Sequence, residues 1–394
     1  MRPHALGLLA APTLMATTVP LQAFDINPQL SVDGFILGAG QCQSVSARLP
    51  GETDGRVLDD RVDPPLLDNA MIPFDNTCSG GMPFQVAVNY HPDDANEFFA
   101  VVGFAAGNGL ADKSPWILSP FAADLEDDVT DINGRDRDYL LVAGYKHSFA
   151  FENGANLGTS FGILDSTWYL DGNAYANDWA TQFMNEVFVN SGSHGLPSYD
   201  VGAALEYTQG VWSFNAVGIN IGENDDGNNF NFWGTEVGYH PQTALGSGNY
   251  RVLVTGASSA FLDPSETDKE NRLAWGFSFD QEFGDVVGAF LRFAWQNEDA
   301  AVDYKALYSG GLNLSGNGWG RESDNIGVGY AYLPGGNLDI AHSQVFEAYY
   351  RAGLNQYMSL TADVQYMQDA LDQIDPRQDD PSGWIVGVRL TAGF

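Results

Sequence analysis

The chain has 394 residues, of which 44% are hydrophobic and 13% aromatic, and this composition excludes a disordered chain, which would be poor in aromatic residues. Its 51 acidic residues outnumber its 17 lysines and arginines, and the resulting net charge of −34 argues against a nucleic-acid binder, because phosphate contacts need clustered basic side chains. Two cysteines are too few for a disulfide-stapled scaffold or a structural zinc site.

The first predicted element is an export signal at residues 1–23. Arg2 and His4 precede an apolar stretch from Ala5 to Val19, and Ala23 closes a small-residue cleavage site. An N-terminal anchor helix is the alternative, but two prolines would interrupt it. After the signal, no stretch reaches the roughly 20 continuous apolar residues that a membrane-spanning helix needs. We therefore expect an exported protein whose residues 24–394 form a single domain.

The two cysteines are predicted to pair in the first long connection. Export places Cys42 and Cys78 in an oxidising compartment, where disulfides form and persist. We expect the pair to close residues 40–82, an acidic first outer loop. Two free thiols are the alternative.

From residue 30 onward, apolar and polar residues alternate with a period of two, which predicts β-strands. In one run, Phe346, Ala348 and Tyr350 share a face, whereas Glu347 and Arg351 share the opposite face. Sixteen such strands are predicted, at residues 30–39, 83–91, 97–107, 139–149, 156–167, 199–208, 211–221, 230–240, 248–259, 271–281, 285–296, 303–315, 322–332, 343–353, 357–367 and 383–394.

The predicted connections alternate in length. Those after odd-numbered strands are often long, as at 108–138 and 168–198, whereas Thr208-Gln209-Gly210 and Asn355-Gln356 are short turns after even-numbered strands. Transmembrane barrels have this asymmetry, with short periplasmic turns and long outer loops. A soluble β-sandwich is the alternative, but sandwiches seldom show such parity. We therefore expect an all-β fold, a transmembrane antiparallel β-barrel of about 16 strands.

The last strand supports a barrel. Val386, Val388 and Leu390 alternate with Gly387 and Arg389, and the chain closes on an aromatic residue. A terminal aromatic residue on such a face resembles the signal that the outer-membrane assembly machinery recognises. We expect that machinery and the outer-membrane lipids to be partners of this chain.

Several segments resemble the OprB-type carbohydrate-selective porin family of sixteen-stranded outer-membrane channels. They are Gln344–Arg351, Leu360–Tyr366, the closing segment Trp384–Phe394 and a middle segment, Thr181–Tyr207. The resemblance extends over residues 140–394. The N-terminal region departs from the family, because the acidic loop stands where many members have a Trp-Gly-Gly and Leu-rich opening. The resemblance implies a multi-pass channel in the outer membrane of a Gram-negative bacterium.

A sixteen-stranded barrel is wide enough to hold water, so the polar face of each strand lines a channel. Seven of the twelve charged residues predicted on that face are basic. We expect Arg292 and Arg389 to project into water at the narrowest zone, with Glu236, Glu347 and Asp363 nearby. The complete set is Lys146, Glu206, Glu236, Arg251, Arg272, Asp280, Arg292, Lys305, Glu347, Arg351, Asp363 and Arg389. A structural ladder of salt bridges along the inner wall is a compatible alternative.

The connection 168–198 is rich in aromatic residues and asparagine. If it folds inward, Trp168, Tyr175, Asp178 and Trp179 would form a weak sugar site, because aromatic faces stack on sugars while carboxylates bind hydroxyl groups. The alternative is a loop that only packs against the inner wall.

Two acidic segments, 131–138 and 223–229, resemble Ca²⁺-binding loops, but neither completes an EF-hand. Plain acidic turns are the favoured interpretation, so we expect no cofactor, with structural Ca²⁺ as the alternative. The histidines form no convincing catalytic constellation, and the phosphate-loop, HExxH and CxxC motifs are absent. We therefore expect no enzyme.

The sequence as a whole predicts a porin for passive diffusion of small hydrophilic solutes, with sugars as the expected class. A general or ion-selective porin without sugar preference is the first alternative. A plugged barrel acting as an enzyme or adhesin is the second. The sequence leaves open whether the protein is a monomer or a homotrimer.

Overall fold

The computed structural model describes residues 24–46, 48–50, 71–73, 76–111, 113–372 and 379–393. The predicted export signal and the terminal aromatic residue, Phe394, lie outside the described residues.

Sixteen long strands form one closed antiparallel sheet, as the sequence predicts. Each strand pairs with its neighbour in the chain, and the last pairs with the first, with Cys42 opposite Val386. The strands are β1 (Leu30–Ser46), β2 (Phe84–Asp93), β3 (Asn96–Phe104), β4 (Leu140–Ala150), β5 (Asn156–Leu164), β6 (Asp200–Gln209), β7 (Trp212–Ile221), β8 (Phe230–Tyr239), β9 (Gly248–Leu262), β10 (Lys269–Phe283), β11 (Val287–Gln296), β12 (Ala306–Ser315), β13 (Asn325–Pro334), β14 (Ile340–Asn355), β15 (Met358–Leu371) and β16 (Ser382–Gly393).

Four shorter strands complete the described sheets. Phe24–Asn27 pairs with the start of β1, Cys78–Gly81 pairs with its later part, and Arg48–Pro50 pairs with Met71–Pro73. Cys42 and Cys78 lie directly opposite each other and form a disulfide. The first loop is shorter than the predicted 40–82, because the alternation of β1 continues to Ser46.

The two ends of the barrel differ. At the end that we call the long-loop end, the connections include residues 105–139 and 165–199. At the opposite, short-turn end, they shrink to 94–95, 210–211 and 356–357. This is the asymmetry that the spacing of strands predicts.

The outer surface is apolar because every second side chain of a strand points away from the lumen. On β16, Val386 and Val388 are 56% and 53% exposed, whereas the intervening Arg389 points inward and is 0% exposed. Aromatic residues form a band near each end: Trp275 stacks on Trp295 with ring centroids 4.3 Å apart at the long-loop end. An apolar belt between two aromatic girdles is typical of a membrane-spanning barrel.

Two connections at the long-loop end fold into the lumen. We call residues 105–139 the first inner loop and residues 165–199 the second inner loop. The second contains the short helix Glu186–Val189. No helix in the described part of the chain is long and apolar enough to cross a membrane. The buried apolar residues of the two inner loops pack on the inner wall, so the core of the protein lies inside the barrel.

Candidate channel and its constriction

The second inner loop is held by two arginines of the barrel wall. Arg292 on β11 donates four hydrogen bonds to it: to the Asp171 carboxylate at 3.1 Å, to the carbonyl oxygens of Asp171 and Phe188 at 2.8 and 2.9 Å, and to the side chain of Asn177 at 3.0 Å. Arg389 on β16 donates to the carbonyl oxygens of Trp179 and of Gln182, the latter at 2.8 Å.

This arrangement corrects one expectation from the sequence. Arg292 and Arg389 point inward, but they do not project into water, because both are 0% exposed beneath the loop. A buried guanidinium needs acceptors for its N–H groups, and the loop supplies carbonyl oxygens as well as a carboxylate. These arginines hold the second inner loop rather than facing open water.

Carboxylates of the wall complement the arginines by accepting hydrogen bonds from backbone N–H groups of the loop. Glu347 on β14 accepts from Met184 at 2.5 Å and Asn185 at 3.0 Å, and Glu236 on β8 accepts from Asp171 at 2.7 Å. Wall carboxylates thus accept hydrogen bonds from N–H groups of the loop, while wall arginines donate to its oxygen atoms. These hydrogen bonds hold the second inner loop against the wall.

The other predicted wall residues fall into separate places. Arg251 pairs with Asp280 at 2.9 Å, and Asp363 accepts a hydrogen bond from Gln365 at 3.0 Å. Arg272 lies toward the long-loop end, over the ring of Phe261, away from the constriction. Lys146 and Glu206 form an ion pair on the wall, with 2.5 Å between Nζ and Oε2. Lys305 was predicted in β12, but it is exposed in the connection before that strand.

Apolar packing supports the polar anchors. Phe183 and Phe188 of the second inner loop are almost fully buried against Phe290 of the wall, with ring centroids 5.5 and 6.2 Å from it. Gly329 of β13 leaves the space for both loop rings, because a Cβ atom there would lie 2.9 Å from Phe188 and 3.1 Å from Phe183. The wall and the loop are therefore complementary in shape.

The sequence did not predict that the first inner loop also folds inward. Pro120 of this loop accepts hydrogen bonds at its carbonyl oxygen from Gln41 at 2.8 Å and Gln365 at 2.9 Å, which lie on different strands. Asp369 accepts from the backbone N–H of Ile117 at 2.9 Å. The apolar run Trp116-Ile117-Leu118 in a long connection is the signal that could have indicated burial.

A cavity of about 1250 Å³ remains between the inner loops and the wall. Its lining includes nine acidic residues and two basic ones, so its charge is strongly negative. The acidic residues are Asp124, Asp127, Asp128, Asp165, Asp178, Glu186, Glu206, Asp303 and Asp339, and the basic residues are Lys146 and Arg251.

Three of the four residues predicted as a substrate loop line this cavity. Trp168 contacts Phe99 edge-on at 6.0 Å, and Trp179 contacts Phe35 at 5.5 Å, while Asp178 lies beside Trp179. Burial raises the pKa of Asp178, and its hydrogen bonds from Thr181 and Ala180 oppose that rise. The fourth residue, Tyr175, is not part of this lining.

Tyr175 lines a second cavity, of about 210 Å³, at the short-turn end. Ala174 borders both cavities, so the segment from Ala174 to Gln182 separates the large cavity from the small one. This segment therefore lies between the two cavities of the lumen.

Two buried groups of the inner loops have shifted pKa values. Burial raises the pKa of Asp124 to about 7, although Tyr199 and Gln85 donate hydrogen bonds to its carboxylate. Burial lowers the pKa of His194 to about 4, and this histidine lies against Thr255 of the wall. Asp124 can therefore change its charge near neutral pH.

Carboxylates of the two acidic segments accept hydrogen bonds from backbone N–H groups of the protein. Asp131 accepts a hydrogen bond from the backbone of Asp136 at 3.0 Å, and Asp226 accepts from that of Leu262 at 3.0 Å. Among the described residues, no group of three or more His, Cys, Asp or Glu is arranged to hold a metal ion.

A closed barrel with an apolar outer belt and two loops folded into its lumen has the architecture of a membrane-spanning barrel. The profile of the carbohydrate-selective porin, OprB family matches residues 152–394, and the chain belongs to that family. The family and the fold point to a channel rather than to an enzyme.

Two related proteins and one solved structure are similar to this chain. An uncharacterized protein of Aquifex aeolicus (strain VF5) is 33% identical over 291 residues, which are 73% of this chain and 79% of that protein. Porin AaxA of Chlamydia felis (strain Fe/C-56) is 26% identical over 243 residues, which are 57% of this chain and 52% of that protein. The high-pH structure of Pseudomonas putida OprB matches with a TM-score of 0.65 and 14% identity, over 93% of this chain and 94% of that chain, and shows the same fold.

Proposed function

We propose that this outer-membrane porin lets small hydrophilic solutes diffuse passively, and that sugars are its preferred solutes. The observation that carries the proposal is the large cavity beside a rigidly anchored constriction, with Trp168, Trp179 and Asp178 on its surface. Indole faces can stack on sugar rings, and carboxylates accept hydrogen bonds from hydroxyl groups. The name of the family supports the same solute class.

An ion-selective channel without sugar preference is the second candidate. The excess of acidic over basic residues in the large cavity favours it, because a lining of one sign concentrates ions of the opposite sign. Ion selectivity alone is compatible with sugar passage, since neutral sugars do not respond to this field, so the two candidates differ in sugar preference.

A liposome-swelling assay tests the proposal. Purified protein is reconstituted, and the swelling rates for mono- and disaccharides are compared with those for amino acids of equal size. We expect faster swelling with the sugars than with size-matched neutral amino acids. Equal rates at each size would favour a general porin, and no swelling above protein-free liposomes would favour a plugged barrel.

We further propose that the host is a Gram-negative bacterium and that the assembly machinery of its outer membrane inserts the barrel. Membrane lipids then contact the exposed apolar face. A monomer and a homotrimer are both compatible with this face, and crosslinking in detergent distinguishes them.

A further inference from the structure

Three arginines of the inner wall are similarly buried but differ in their hydrogen bonding. Arg292 donates four hydrogen bonds and Arg389 three. Arg351 on β14 is only 6% exposed, yet it donates one hydrogen bond within the described part of the chain, from a terminal nitrogen to the Ser323 carbonyl oxygen at 3.3 Å. Its Nε atom, like that of Arg389, has no hydrogen-bond partner among the described residues, so the small number of bonds from its terminal nitrogens is what distinguishes Arg351. A buried guanidinium with unused donors is costly unless something else accepts from it.

Arg351 borders the small cavity of about 210 Å³ at the short-turn end. Asn325 and Asn313 lie on the same lining, and each donates to the Tyr349 hydroxyl, at 3.1 and 3.2 Å. The Asn325 side-chain oxygen has no hydrogen-bond partner among the described residues. An unsatisfied donor and an unsatisfied acceptor therefore belong to the walls of one cavity.

We propose that this cavity is a second solute subsite, which binds a neutral polyhydroxylated molecule such as a sugar as it leaves the constriction. A hydroxyl group can accept a hydrogen bond from Arg351 and donate one to Asn325, and thus satisfies both groups. Tyr175, which belongs to the segment between the two cavities, lies on this lining and offers an aromatic surface for the apolar side of the sugar ring.

The surrounding charges favour a neutral occupant over an anion. Glu322 lines the same cavity, and the carboxylate of Asp324 is there too, paired with Arg321 at 2.5 Å. An anion bound to Arg351 would be repelled by these carboxylates, whereas a polyol could hydrogen-bond to groups of both signs.

This proposal rests on the proposed sugar permeation, and the test separates the two. Single channels in planar bilayers are titrated with glucose or maltose, and the sugar concentration that halves the ion current is measured. In Arg351→Met, we expect this concentration to rise roughly tenfold, as the loss of one charge-assisted hydrogen bond predicts. Arg272→Met is the matched control, since Arg272 borders neither cavity, and its value should equal that of the wild type.

Tyr175→Leu provides a second variant that does not depend on a wall charge for folding. We expect weaker current block in this variant as well, with liposome swelling by sugars retained. Wild-type half-block concentrations in both variants would overturn the subsite while leaving the proposed function intact. The absence of sugar permeation in the wild type would overturn the proposed function itself.

Discussion

Arg292 shows how a single wall residue can position the constriction. Its guanidinium is buried with the Asp171 carboxylate, and breaking such a pair leaves an uncompensated charge, which costs about 3–5 kcal/mol. We expect Arg292→Met to release the second inner loop from the wall, and thus to raise single-channel conductance and add current noise in planar bilayers. Arg272→Met serves as the control, and identical traces for the two variants would show that Glu347 and apolar packing hold the loop without Arg292.

At the scale of residues, the sequence predicted to which face of the sheet a side chain points, but not its hydrogen-bond partners. Strict alternation placed Arg292, Arg389 and Glu347 on the inner face, because the side-chain period of a strand is two. Their acceptors and donors could not be predicted, since Asp171 lies 121 positions from Arg292 in the sequence. Only the folding of a loop across the lumen brings these residues together.

The strands themselves were the most predictable elements, because their pattern is local. Sixteen runs gave sixteen strands, with the largest differences at the ends of β1 and β15. Long connections carry no comparable period, so the inward fold of the first inner loop was missed. Its position depends on contacts of Pro120 with Gln41 and Gln365, which are far from it and from each other in the sequence.

The disulfide between Cys42 and Cys78 is expected to stabilise the protein without being required for the barrel to fold. It joins β1 to Cys78–Gly81, and the cysteines are 36 positions apart. In the chain-entropy model, a loop of this size contributes roughly 3 to 4 kcal/mol to the free energy of unfolding. We expect Cys42→Ser/Cys78→Ser to lose about that amount while the barrel still folds and conducts, because the β-ladders of the wall are unchanged. Denaturant unfolding in detergent measures the loss, and a variant with wild-type stability, or two free thiols in the unreduced wild type, would contradict it.

At the scale of the whole molecule, the charged residues of the inner wall and those that line the large cavity differ in sign. The predicted wall set was mainly basic, but Arg292 and Arg389 are occupied by the second inner loop. The lining of the large cavity has nine acidic residues and two basic ones, and six of the acidic residues belong to the inner loops themselves. The charge that a solute meets thus depends on the charges that the loops bring into the lumen as well as on the wall residues that they cover.

Asp124 makes this negative field depend on pH. Its pKa is raised to about 7 by burial, so the carboxyl group is neutral below that pH and carries a negative charge above it. We therefore expect the preference for cations over anions to increase as the pH rises from about 6 to about 8. Reversal potentials across a KCl gradient measure this preference, and low ionic strength keeps the field unscreened. In Asp124→Asn the side chain stays neutral, so its cation preference should match that of the wild type at the acidic end and change little with pH. If the asparagine variant keeps the full pH dependence, the titrating group lies elsewhere in the channel.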